Sequence, residues 1–99
     1  MSVCYIIYSR KIGRFYCGVT NQDAGIRIGR HNAAEYGGHR FTAKANDWEL
    51  FLTIQADDYP HAVRMERKIK SMKSATYIRN LKEYIGLRQK LVEATRKNT

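Results

Sequence analysis

The period of the hydrophobic positions changes several times along the chain, and each change marks a boundary between elements. Residues 3–8 (VCYIIY) and 15–19 (FYCGV) are runs of β-branched and aromatic residues, and the segment between them, SRKIGR, carries a glycine and three bases. That arrangement predicts a β-hairpin. WELFLTIQ at 48–55 is a third run of the same kind, expected to pair antiparallel within the hairpin's sheet. Between these runs the period lengthens. Asn21 and Asp23 can cap a helix over about 23–35, where Ala24, Ile28 and Ala34 supply a weak apolar stripe. Gly25 and Gly29 oppose it, each by about 1 kcal/mol relative to alanine. Residues 36–46 (YGGHRFTAKAN) read as a loop.

Asp58 followed by Tyr59 and Pro60 is a helix start. Ala62, Met65, Ile69 and Met72 then recur at helical spacing as one buried stripe. A last helical region from about 74 turns Tyr77, Ile78, Leu81, Tyr84 and Ile85 inward, and a turn or two after Gly86 carries Leu87, Leu91 and Val92. The tail from Thr95 is polar. Together these elements predict an α+β fold, a small three-stranded antiparallel sheet flanked by helices.

Length confines the picture to one core. With 99 residues the chain suits a single domain over 1–99, in which 86–99 form a helical C-terminal extension. Cys4 and Cys17 lie 13 apart without CxxC spacing, which argues against a zinc site or a disulfide framework and for two reduced, buried thiols. No stretch approaches the roughly 18 apolar residues of a membrane span, and MSVCYIIYSRK lacks the plan of a signal peptide. A cytosolic or nuclear protein is expected.

Charge points to the partner. Eighteen Lys and Arg against nine Asp and Glu give +9, and residues 62–99 hold 11 of the bases and 3 of the acids. A polyanion is the natural ligand for such an excess, nucleic acid first, although ribosomal partners and anionic membranes would also satisfy it.

Five side chains stand out for their chemistry. Tyr5 and Tyr16 can project from the hairpin to one side of the sheet. Arg27 and His31 are four apart and share a helix face. Glu66 is the only carboxylate between Pro60 and Lys82, and at about 100° per residue it falls within the apolar stripe of its helix. An acid turned inward on a basic helix requires a cation. Singly, each residue has an ordinary role: strand aromatics, a solvated arginine, a satisfied histidine, and a glutamate in a structural ion pair with Arg27 itself. Asp57 and Asp58 read as helix caps and Trp48 as a core anchor. His39 reads as a loop residue and His61 as a first-turn residue.

Taken in order, the five resemble the GIY-YIG nucleases. VCY at 3–5 stands in the place of GIY and YCG at 16–18 in the place of YIG. Arg27, His31 and Asn32 follow, then FTAKANDWELF, then AVRMERKIKSMKS with Glu66 where the family places its metal-binding glutamate. The likeness spans roughly residues 3–82 and is greatest to small stand-alone bacterial members related to the Slx-type structure-specific nucleases. Val3 and Cys17 depart from the name motif at packing positions, and Ile78 stands where several members carry a site asparagine; Asn80 is out of register.

The resemblance implies an endonuclease that hydrolyses DNA phosphodiester bonds, in repair or recombination, with Tyr5, Tyr16, Arg27, His31 and Glu66 as its catalytic set. One divalent ion, Mg²⁺ or Mn²⁺, would sit on Glu66, since Mg²⁺ accepts a single carboxylate with waters and a phosphate oxygen. Arg27 can clamp phosphate, and Tyr5 and His31 are both candidates for the base that takes the proton of the attacking water. Arg30, Arg40, Lys44, Lys68, Lys70 and Lys73 are the expected contacts to double-stranded or branched DNA. A protein partner or a homodimer fits members of this size, with no membrane, in a cytoplasm where the protein is nucleoid-associated if bacterial. The alternatives are a non-catalytic nucleic-acid-binding module of the same fold and an RNA-binding structural protein.

Overall fold

The computed structural model describes residues 2–21, 23–33 and 44–96. Strands β1 (Val3–Ser9) and β2 (Arg14–Thr20) form the expected hairpin, helix α1 (Ala24–Asn32) follows, and β3 (Glu49–Gln55) returns to the sheet. Helices α2 (Tyr59–Met72), α3 (Ala75–Glu83) and α4 (Ile85–Thr95) follow among the described residues. The sheet is antiparallel throughout with order β2-β1-β3, so β1 is central. This is the α+β arrangement that the hydrophobic periods predict. Gly13, at φ +62°, closes the hairpin turn in the left-handed region where only glycine is unstrained. The carboxylate of Asp47 accepts the Ser9 hydroxyl and the Lys11 backbone N–H. The Ser9 hydrogen bond holds this acid below the usual carboxylate range.

Period-two alternation divides the hairpin's side chains between two faces. One face carries Tyr5, Ile7 and Tyr16, which pack with Ala24, Ile28 and Trp48 under α1. The other carries Cys4, Ile6 and Cys17, which pack with Ile54 against Met65, Ile69 and Leu81 of the later helices. The two thiols are free and buried, with Sγ atoms 3.4 Å apart. The hydrogen bond to Cys4, with burial, pushes the Cys17 thiol far above its ordinary range.

Capping fixes the helix starts. Asp23 accepts the Gly25 N–H at 2.7 Å, Asp58 the His61 N–H at 2.8 Å and Ser74 the Tyr77 N–H at 3.0 Å. Lys73, at φ 48°, ends α2 in the left-handed conformation. Several details differ from the sequence reading. The third helix stops at Glu83 because Tyr84 is extended; Tyr84 and Ile85 then face solvent, 58% and 62% exposed, in place of the predicted inward stripe. Met72 also lies outside the core, at 41% exposure. The final helix is three turns long, not one or two.

His61 does more than fill a first turn. It is buried; its Nδ1 accepts the Asp57 N–H, which leaves the Nε2 proton for the Val92 carbonyl and the Thr95 hydroxyl, each 3.0 Å away. Arg64 donates to the Thr95 carbonyl at 2.7 Å. These bonds fasten α4 along α2. Residues 34–43, and with them Ala34, His39, Arg40 and most of the expected 36–46 loop, lie outside the described residues.

Candidate active site

The register of the hairpin builds the centre of the site. Tyr5 lies opposite Gly18, and Tyr16 opposite Ile7, so both phenols leave the sheet on the α1 side. A Cβ added to Gly18 would stand 2.5 Å from Tyr5 Oη and 2.6 Å from Cζ. The Tyr5 ring therefore lies across the glycine, in space that any other residue would fill. This is the physical need behind the glycine of the YCG motif, which its place in the motif does not explain.

Helix α1 brings the next group. Asp23 sets the start of the helix, and two turns later His31 is buried against the sheet with Nε2 2.8 Å from Tyr5 Oη. Either atom can donate, according to the imidazole tautomer. His31 also meets Tyr16 edge-on, with ring centroids 5.2 Å apart. Asn32, the next residue, accepts the Trp48 N–H at 2.7 Å and donates to the Trp48 carbonyl at 3.1 Å. That two-way clamp holds the end of α1 to the start of β3, and buried Trp48 meets the Tyr16 ring at 6.5 Å. Trp48 is thus the core anchor expected of it, and Asn32 gains a role that no local pattern could reveal.

From the opposite side, α2 runs along the β2 edge of the sheet and presents Glu66 and Lys70. Lys70 Nζ lies 3.4 Å from Glu66 Oε2 and 5.4 Å from the centroid of the Tyr16 ring. A continuous chain of contacts therefore links Glu66, Lys70, Tyr16, His31 and Tyr5. Glu66 is 19% exposed, close to the stripe where helical spacing puts it. Its ion-pair partner is Lys70, where the ordinary reading of the glutamate offers Arg27 as one candidate. Arg27 lies one turn before His31 on α1 and is half-buried.

The basic candidates disperse. Lys70 and Lys73 line a groove of about 430 Å³ beside Tyr16, together with Arg14, Phe15 and Ile69. Nothing in the sequence pattern singles out Arg14. Lys68 stands in a different groove, with Met72, Tyr77 and Lys90. Arg30 is half-buried on α1, and Lys44 is exposed ahead of β3. Of the other bases in the C-terminal third, Arg79 and Lys82 cover the rings of Phe15 and Phe51, at 5.5 and 4.7 Å, so part of the positive charge shields aromatic surface on the core side.

The donor chemistry bears on a metal. Among the described residues no three or more His, Cys, Asp or Glu side chains gather as a ligand set. Glu66 is a single carboxylate with partial access to solvent. That fits a hard ion of the Mg²⁺ or Mn²⁺ type, which keeps several waters and needs as little as one carboxylate plus a phosphate oxygen.

A family model described as the GIY-YIG catalytic domain matches residues 1–82. No match is found among the curated proteins or among the solved structures.

Proposed function

The chain belongs to the GIY-YIG catalytic domain family, and from that premise we propose that it is a metal-dependent endonuclease whose DNA-cleaving site comprises Tyr5, Tyr16, Arg27, His31 and Glu66. The observation that carries this reading is the buried 2.8 Å bond between Tyr5 Oη and His31 Nε2, at one end of a contact chain that ends on Glu66. A buried phenol and imidazole in direct hydrogen bond can pass a proton between them, as general acid–base catalysis requires.

Phosphodiester hydrolysis needs a water relieved of its proton, neutralised phosphoryl oxygens and a stabilised leaving oxygen. Tyr5 and His31 act as one unit on the first requirement: as Oη takes the proton of the attacking water, it gives its own proton across the bond to Nε2. Arg27, a turn away, supplies a planar fork suited to a phosphate. Tyr16 positions the His31 ring by its edge contact and separates it from the Lys70 ammonium. Glu66, aided by water and substrate oxygens, would hold the single divalent ion, which when bound supplies charge neutralisation at the phosphate.

The basic groove beside Tyr16 supports duplex or branched DNA as substrate, with Lys70 and Lys73 on backbone phosphates and Arg30, Arg40, Lys44 and Lys68 as further contacts. We read 1–99 as one domain with 86–99 as its extension, related to the Slx-type nucleases, with a role in repair or recombination in the cytoplasm. No helix of the described residues is long and apolar enough to cross a membrane. The test is incubation of the protein with plasmid and with branched DNA in Mg²⁺ or in EDTA. Cleavage in Mg²⁺ that EDTA abolishes is expected; binding of both DNAs without cleavage in either Mg²⁺ or Mn²⁺ would identify a non-catalytic module.

A further inference from the structure

Lys70 stands at the meeting point of two demands. It follows Glu66 by four residues on α2, the order in which a helical Glu and Lys pair best, and its Nζ lies 3.4 Å from Oε2. The two partners differ in freedom: the lysine side chain is 51% exposed and the glutamate 19%. A carboxylate so far withdrawn from water needs a cation beside it, and among the described residues this ammonium is its one salt-bridge partner. The ammonium also stands over the Tyr16 ring, and Lys70 is one wall of the groove that holds Arg14 and Lys73.

An ammonium and a divalent ion cannot share one carboxylate without cost, because like charges a few ångströms apart repel, and for a partly exposed pair solvent screening moderates that repulsion. We propose that Lys70 is a positioning residue that keeps the ion's place at Glu66: it neutralises the carboxylate before metal binds, then yields it and turns its long stem into the Arg14 and Lys73 groove, where a backbone phosphate receives it. This inference rests on the reading of Glu66 as the metal ligand. It explains why the site's acid is paired with a side chain more exposed than itself. It also assigns one side chain to both the ion and the substrate, so that loading of the ion frees a cation for DNA.

The measurement is direct binding of Mn²⁺ alone to DNA-free protein, followed by the electron paramagnetic resonance signal of the free ion. Wild type is compared with Lys70→Met, Lys70→Gln, Lys70→Arg and Glu66→Ala, each checked for folding by circular dichroism. Removing the competing charge is expected to tighten Mn²⁺ binding about three- to tenfold in Lys70→Met and Lys70→Gln, the range set by a partly exposed ion pair and its repulsion of the metal. Lys70→Arg should stay near wild type, and Glu66→Ala should lose the site. Equal or weaker binding in both neutral variants, with Glu66→Ala still empty, overturns the exchange and leaves the metal assignment standing. Wild-type binding by Glu66→Ala would instead remove the ligand on which the exchange depends.

Discussion

The two faces of the three-stranded sheet are built by alternate residues of the same strands, yet they hold together by different means. On the face toward α2, α3 and α4, Cys4, Ile6, Cys17, Met65, Ile69 and Leu81 are buried, and the cohesion is burial of largely aliphatic surface. On the face toward α1, Tyr5, Tyr16, His31 and Trp48 meet through a phenol-imidazole hydrogen bond, edge contacts between rings and the Asn32 clamp. Adjacent residues take opposite parts: Cys4 and Tyr5 on one strand, Tyr16 and Cys17 on the other. The lesson is that a chain this short can hold reactive polar groups inside only if each is paired, and that the aliphatic face supplies the stability that leaves the other face free for chemistry.

Of the two faces, the aromatic one should show the larger effect on activity. Tyr5→Phe keeps the ring over Gly18 and removes only the hydroxyl, so cleavage should fall by about 10²–10⁴-fold, while stability drops by about 1–3 kcal/mol because the buried His31 loses this hydrogen bond. Turnover rates and urea unfolding on the same preparations check both halves. A Tyr5→Phe enzyme with a near wild-type rate would leave His31 as the sole base.

The opposite face should respond in stability instead. Met65→Ala opens a cavity in a fully buried site and should lose about 2–5 kcal/mol of stability, with cleavage by the remaining folded protein little changed below the unfolding transition. If Met65→Ala impaired turnover of folded protein as severely as Tyr5→Phe, the division between the faces would fail.

Gly18→Ala tests the boundary between them. Its Cβ would meet the Tyr5 phenol at 2.5–2.9 Å, too close to accept, so either the ring or the hairpin must shift. A loss of about 1–3 kcal/mol is expected from the overpacking, together with impaired cleavage because the Tyr5 to His31 geometry moves. Unchanged activity would show that the ring has room that its packing denies.

The smallest effect concerns the surface. Neutralising Lys70 and Lys73, which share the groove beside Tyr16, should flatten the salt dependence of DNA binding by up to about 0.9 in slope for each phosphate no longer engaged. Neutralising Lys68, which lies in another groove, should change it less. Binding isotherms from low to moderate salt decide the order, and the weakening should be similar for all sequences, since phosphate contacts position DNA without reading it.

Much of this is legible in residue order. The alternation of Cys4 with Tyr5 and of Tyr16 with Cys17 already sends the phenols to one side, and the angular position of Glu66 on its helix turns it toward the interior. What escapes are contacts between residues distant in sequence. Asn32 clamps Trp48 across 16 positions, and His61 reaches Thr95 across 34; neither partner carries a local mark of the other. The inward stripe expected through Tyr84 and Ile85 fails for a related reason. Periodicity assumes an unbroken helix, and the extended Tyr84 resets the phase for α4. The pairing of Glu66 with Lys70 differs from these, because its i,i+4 spacing is a local signal that competes with Arg27 on even terms in the sequence.

In the proposed function Glu66 is the residue on which the metal and the cleavage would both depend, and the most direct measurement is a parallel assay of cleavage and binding by Glu66→Ala, with DNA affinity measured by fluorescence anisotropy and cleavage followed in Mg²⁺. The carboxylate is assigned to the ion and carries no attraction for the polyanion, so the variant should lose cleavage altogether and bind DNA as well as wild type or slightly better, a repulsive charge having been removed. Loss of binding together with cleavage would make Glu66 a structural residue and contradict the metal assignment.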